Sequence, residues 1–296
     1  MRGIGRYMFC NFFVIDSAFI EQFEEDQQRI LSDFAYQIYV QRLKCKSKRL
    51  PKEKYFLSNR VHYSLVYMYC PKCKVTGFLV NHLSKKQSSE FKFCPYCGEP
   101  NINYRYNVGR EKIIALLQLS RKLSDDGDQL SRILCQKILI SICSIFEVYL
   151  REFYADILNT KFIRSDLSLY DKFISDCKND FLNPGKSQER LKRDLNIDYK
   201  DKIGHDIFKS LVFWADCRNV IVHNNGICDK RFVKKYPDYE LRSELIPNWQ
   251  QTAAYLCAVD VAVKNLDQLY SSILLEAIVH ELKSAIKNGD LTSPKV

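Results

Sequence analysis

Two sets of side chains in this 296-residue sequence have types and spacing that could do chemistry. The first is Arg218, Asn219 and His223, within the stretch Ala215 to Gly226, ADCRNVIVHNNG. An imidazole, with a reference pKa of about 6.5, can give or take a proton near neutrality. A guanidinium offers a planar fork that matches two oxygens of a phosphate. The second set is Cys70 and Cys73, then Cys94 and Cys97, in two CxxC knuckles. Each knuckle presents two sulfurs to one point, and four thiolates satisfy tetrahedral zinc with no open position, so a structural Zn2+ is expected.

The trio needs a helix to position it. Ile207, Leu211, Trp214, Cys217 and Ile221 recur at helical spacing, and Asn224-Asn225-Gly226 supplies a stop. His223 therefore falls in the last turn, where the negative end of the helix dipole favours imidazolium. At about 100° per residue Asn219 and His223 share nearly one face, while Arg218 must reach round. An Arg and a His in an ordinary amphipathic helix would look the same. The arrangement of Arg, a polar residue, three apolar residues and His at a helix end resembles the R-x4-6-H motif of the HEPN (higher eukaryotes and prokaryotes nucleotide-binding) superfamily. The following GICDKRFVKKYPD also resembles uncharacterised bacterial members.

Cleaving RNA without a metal takes a base for the ribose 2'-hydroxyl, an acid for the departing 5'-oxygen, and positive charge at the phosphorane. One copy of the motif supplies one histidine, and a two-fold dimer would supply two. The resemblance implies such a homodimer with a composite, metal-independent endoribonuclease site that leaves a 2',3'-cyclic phosphate. It also implies roles: Arg218 binds phosphate, His223 is the acid/base, and Asn219 positions substrate or its neighbours. No cofactor is implied for catalysis. The family setting adds a toxin-like effector of abortive infection or anti-phage defence, with an antitoxin or defence-system partner.

The rest of the chain is expected to be mainly α, a HEPN-like helical bundle with a small four-cysteine zinc ribbon of short β-hairpins. Residues 1–60 read as an N-terminal helix (17–46) and a basic linker; 61–108 as the ribbon, with HYSLVYMY, VTGFLV and EFKF as its strands; 109–288 as the helical domain; and 289–296 as a tail. Within the domain, helices are expected over Glu111–Leu123, Asp128–Asn159, Ser187–Leu195, Asp201–His223 and Asn248–Lys287, with 160–200 otherwise irregular. Glu147 sits on a very apolar helix; it either faces solvent or pairs with and orients Arg218 or another basic group.

A formal charge of +10 favours a polyanionic partner, RNA being the natural one here. Lys44, Lys46, Lys48 and Arg49 belong to a strip that either contacts phosphates or is a solvated linker; Lys230, Arg231, Lys234 and Lys235 pose the same choice beside His223. The twelve cysteines in a long chain with no convincing export signal, and no run approaching bilayer length, point to a reducing cytoplasm and no membrane. The eight cysteines outside the knuckles read mostly as small buried hydrophobes. Two other functions fit the same residues: a non-catalytic nucleic-acid binder using the ribbon and basic strip, and a dimeric scaffold recruiting a partner through the ribbon. The knuckles generate a direct test. Elemental analysis of the purified protein should find one zinc per chain, lost in Cys70→Ser; a zinc-free wild type would remove the site.

Overall fold

The computed structural model describes residues 12–15, 21, 23–42, 63–69, 76–82, 93, 98, 102–124, 129–162 and 172–289. Cys70, Cys73, Cys94 and Cys97, together with Lys44, Lys46, Lys48 and Arg49 and residues 290–296 of the tail, lie outside them. The chain is mainly α-helical and divides into two compact units, 1–101 with 271–296, and 102–270.

In the first unit β1 (Phe12–Ile15), β2 (Tyr63–Tyr69) and β3 (Thr76–His82) form one antiparallel sheet in that order. Phe12 lies opposite Met68, and Tyr69 opposite Thr76. Strands β2 and β3 fall in the HYSLVYMY and VTGFLV segments and flank the first CxxC pair in sequence. β1 comes from an apolar patch to which sequence assigns no strand. Its partner is β2, far along the chain, and a local pattern does not carry that information. Helix α1 (Glu25–Arg42) packs on β2 and β3 and begins later than expected, after a turn that buries Phe23. Gln28 Nε2 donates to the Phe23 carbonyl at 2.6 Å, and Lys283 Nζ stands 5.8 Å from the Phe23 ring centroid.

The second unit is built from α2 (Ile102–Ser124), α3 (Gln129–Phe162), α4 (Pro184–Leu195), α5 (Tyr199–Ile203), α6 (His205–His223), α7 (Lys230–Lys235) and the Trp249–Tyr270 part of α8 (Trp249–Lys287). Helix α3 is its axis. Ile138, Leu139, Ile142, Leu150, Tyr154 and Leu158 are buried on it, while Leu130, Ile133 and Val148 remain exposed. Contrary to the sequence expectation, Gln129–Leu158 is long and apolar enough to cross a membrane. Between Ile133 and Leu150 only Lys137 and Glu147 are charged. Core helices of soluble proteins meet the same criterion.

Several boundaries differ from the sequence reading for identifiable reasons. Helix α2 starts at Ile102 rather than Glu111, because its first turns are held by tertiary contacts. There Tyr106 Oη and Arg110 Nε both donate to Asp260 Oδ1, at 2.8 and 2.7 Å. The stretch expected to be irregular contains a 3-10 turn, Asp180–Leu182, and α4 begins at Pro184. Asn183 caps that helix by accepting from the Lys186 amide at 3.1 Å. The expected single helix 201–223 is two, separated by Gly204 at φ +95°, a conformation open mainly to glycine. Helix α7 was not anticipated.

Several polar groups inside the second unit are paired. Tyr149 Oη donates to Asp267 Oδ1 at 2.6 Å, and Tyr154 Oη to Asp194 Oδ2 at 2.7 Å. Arg190, 6% exposed, donates through Nε to Asp180 at 2.8 Å and through Nη2 to the Asp176 carbonyl at 2.7 Å. Ser120 and Ser131 bond across α2 and α3, with hydroxyls 3.2 Å apart. Of the eight cysteines outside the knuckles, Cys135, Cys143, Cys177, Cys217 and Cys228 are buried as expected, Cys257 is exposed, and Cys10 and Cys45 lie outside the described residues.

Gly109 lies inside α2, and a Cβ there would meet Ile145 Cγ2 at 2.7 Å. Alanine would gain about 1 kcal/mol of helix propensity but meet a β-branched neighbour that cannot swing away, an overpacking cost of about 1–3 kcal/mol. Gly109→Ala should therefore lower the urea midpoint. A double-mutant cycle with Ile145→Ala should show coupling, and a stabilised Gly109→Ala would refute this close approach.

Candidate functional site at the end of helix α6

The inward face of α6 carries Leu211, Trp214, Ala215, Cys217, Val220 and Ile221, all buried, which fixes the helix's rotation. That rotation leaves Asn219, Val222 and His223 exposed and Arg218 half-buried at the edge. Trp214 is held by Tyr255 of α8, with ring centroids 5.6 Å apart, and its carbonyl faces Cys143 Sγ of α3 at 4.0 Å.

Helix α6 stops where the sequence predicts. The amides of Asn224 and Gly226 both donate to the Val220 carbonyl, at 3.0 and 3.1 Å, while Asn225 (φ +51°) and Gly226 (φ +83°) turn the chain away. The departing chain is fastened at once. Leu245 N donates to the Gly226 carbonyl at 2.7 Å, and Cys228 N to the Ser243 carbonyl at 2.9 Å. Gln136 of α3 donates through Nε2 to the Leu245 carbonyl at 3.2 Å. These bonds hold the last turn of α6, and His223 with it, against α3.

Arg218 Nη1 donates to Asn219 Oδ1 at 3.1 Å, so the two neighbours act as one polar unit. Arg218 Nε is buried and has no hydrogen-bond partner among the described residues. The His223 imidazole makes no hydrogen bond among the described residues, and it is open to solvent on the same face as Asn219. Arg218 is close enough to Cys143 for its charge to favour the thiolate, but burial dominates and pushes that thiol up to about 11. Cys143 therefore stays protonated and is no nucleophile at neutral pH.

Glu147 takes the second of its two expected courses, pairing with a basic group other than Arg218. Its Oε1 accepts from Arg151 Nη2 at 2.8 Å, one turn further along α3. The four cations after His223 are also sorted. Lys235 Nζ is 2.5 Å from Asp216 Oδ2, which also accepts from Tyr236 Oη at 2.8 Å. Lys230, Arg231 and Lys234 make no ion pair among the described residues, and all three are exposed.

Sequence reasoning missed the groups that fasten α7. Asp229 caps the helix, accepting from Phe232 N at 2.8 Å through one oxygen and from Asn224 Nδ2 at 3.0 Å through the other. The Phe232 amide, helped by Asn224, holds its carboxyl below the usual range. Phe213, Phe232, Tyr236 and Tyr239 close the opposite side, with Phe213 and Tyr236 centroids 5.0 Å apart and Phe232 and Tyr239 5.2 Å. Asp229 just before KRF carried a readable cap signal; Asp216 carried none. No group of three or more His, Cys, Asp or Glu is placed to hold a metal among the described residues.

The turn gives a stability prediction. A side chain at Gly226 would be strained by about 1–2 kcal/mol at its positive φ, whereas the atom nearest a new Cβ, Gln136 Nε2 at 3.3 Å, can move aside. Gly226→Ala should lose about that much in urea denaturation and Gly226→Asn less, since asparagine tolerates this region; equal losses would place the cost in crowding instead. Compared with known proteins, the chain matches no family model, no curated protein and no solved structure.

Proposed function

We propose that the chain is a metal-independent endoribonuclease of the HEPN type, acting as a homodimer whose composite site uses Arg218, Asn219 and His223 from both copies. The observation that carries this reading is a half-buried Arg218, hydrogen-bonded to Asn219, on the same last turns of α6 as an exposed His223 whose imidazole is unbonded among the described residues. The rest of the half-exposed guanidinium can offer charge-assisted hydrogen bonds to an anion arriving at the edge of the helix. A phosphodiester is such an anion, and it brings the leaving oxygen that an imidazole can protonate.

In this mechanism Arg218 gathers charge at the phosphorane through its planar fork. One His223 accepts the 2'-hydroxyl proton and the His223 of the second copy protonates the 5'-oxygen, so the ester exchanges its 5' substituent for the 2'-oxygen and closes a cyclic phosphate. Asn219 holds Arg218 through Nη1 and presents its own amide to substrate. Glu147 acts at a distance by fixing Arg151 rather than Arg218. Pairing the α6 helices of two copies about a two-fold axis would bring both sets of residues into one cleft. Lys230, Arg231 and Lys234 contact RNA, as would the basic strip containing Lys44, Lys46, Lys48 and Arg49. The four-cysteine ribbon holds a structural zinc, and the enzyme works in the cytoplasm as a toxin-like effector in anti-phage defence, restrained by an antitoxin or defence-system partner.

The test is incubation of wild-type and His223→Ala protein with total RNA and a tRNA pool in EDTA, followed by analysis of product ends. Wild type should leave 2',3'-cyclic phosphates, and the mutant should retain its thermal midpoint but cut at least about a hundredfold more slowly. Equal cleavage by both proteins, or none by either, overturns the assignment of His223.

A further inference from the structure

Helix α7 is tied to α6 at both ends. At its start Asp229 bonds Asn224, the residue after His223. At its finish Lys235 and Tyr236 bond Asp216, the second residue before Arg218. α7 therefore runs antiparallel along the two turns of α6 that carry Arg218, Asn219 and His223. Phe232 points inward and is buried, which turns the opposite sector to solvent. At about 100° per residue Lys230, Lys234 and Arg231 fall in that one sector, with about 6 Å of rise between the two lysines.

Three cations without an ion pair among the described residues, on a helix fastened to the turns of α6 that carry His223, have a consequence for substrate. A mononucleotide or a single phosphodiester can occupy Arg218 and His223 but leaves α7 unneutralised. We propose that α7 is a second phosphate-binding element that selects a polynucleotide extending beyond the reacting phosphate, and that Asp216 is the positioning residue that holds it in register. The inference rests on the nucleic-acid reading above, and it divides the four cations: Lys230, Arg231 and Lys234 meet phosphate, while Lys235 is retained by Asp216. Tyr236 contributes the second bond to the same carboxylate oxygen, so the latch does not depend on one flexible lysine.

The experiment uses the full chain and fluorescein-labelled oligothymidylates of about two and about eight deoxynucleotides, which lack the 2'-hydroxyl; the longer spans a typical single-strand site. Fluorescence anisotropy is recorded across a salt series. The longer probe should bind about tenfold more tightly, and Lys234→Gln should flatten its log affinity against log salt slope by about 0.7, the value for one lost single-strand phosphate contact. Asp216→Asn should weaken the longer probe several-fold and leave the shorter unchanged. A merely structural defect would weaken both, and circular dichroism would report it. If Asp216→Asn does not fold, Tyr236→Phe removes one hydroxyl and should act in the same direction. Equal affinity for the two lengths, an unchanged slope in Lys234→Gln, or equal weakening of both probes in the latch variant overturns the proposal. These probes involve no cleavage. A chain that obeys the length rule and cuts no RNA keeps this inference and loses the ribonuclease, and one that cuts RNA without the length rule does the reverse.

Discussion

A helix of 34 residues with so little charge along its middle has to be covered, and the second unit is arranged around covering α3. Each large apolar side chain removed from water contributes about 1.5–3 kcal/mol, and Ile138, Leu139, Ile142, Leu150 and Leu158 are all but fully enclosed. The cost of that enclosure falls on polar groups trapped beside them, which need partners. Buried tyrosines meet the need. Tyr149 on α3 reaches Asp267, Tyr154 on α3 reaches Asp194, and Tyr106 on α2 reaches Asp260. Burial first, and then the neighbouring carboxylates, push the Tyr106 and Tyr154 phenols far up. These two phenols remain neutral donors at any physiological pH.

How much of this was legible in the sequence depended on how local the cause was. The inward stripe of α6 (Ile207, Leu211, Trp214, Cys217, Ile221) and that of α8 (Tyr255, Leu256, Val259, Val263, Leu266, Tyr270) are periodic, and all are buried except Ile207, which is half-buried. The stop at Asn224-Asn225-Gly226 was equally plain, because few residues tolerate positive φ. Glycine misled elsewhere. Gly109 reads as a boundary, yet it lies within α2 because Ile145 leaves no room for a side chain. Gly204, inside an apparently continuous helix, is the break between α5 and α6. Asp216 could not have been picked out, since its partners are about twenty positions away, at the end of a helix too short to show periodicity. The Glu147–Arg151 spacing was visible, but spacing could not say whether Arg151 or Arg218 would win.

The distribution of carboxylates around α6 gives the site its electrostatic character. Glu147 is engaged by Arg151, and Asp216 by Lys235 and Tyr236. Asp229 is committed to the Phe232 amide and to Asn224. Each of these three acids thus has a partner other than Arg218, whose Nη1 bonds a neutral amide. A lysine there would be a compact point charge free to swing into water, whereas the guanidinium keeps Nε–H inside and is half-exposed at the edge of the helix. An anion approaching this edge need not displace a carboxylate or reorganise the helix. The charge it meets is already oriented, which is the condition under which electrostatic stabilisation of a developing negative charge is most effective.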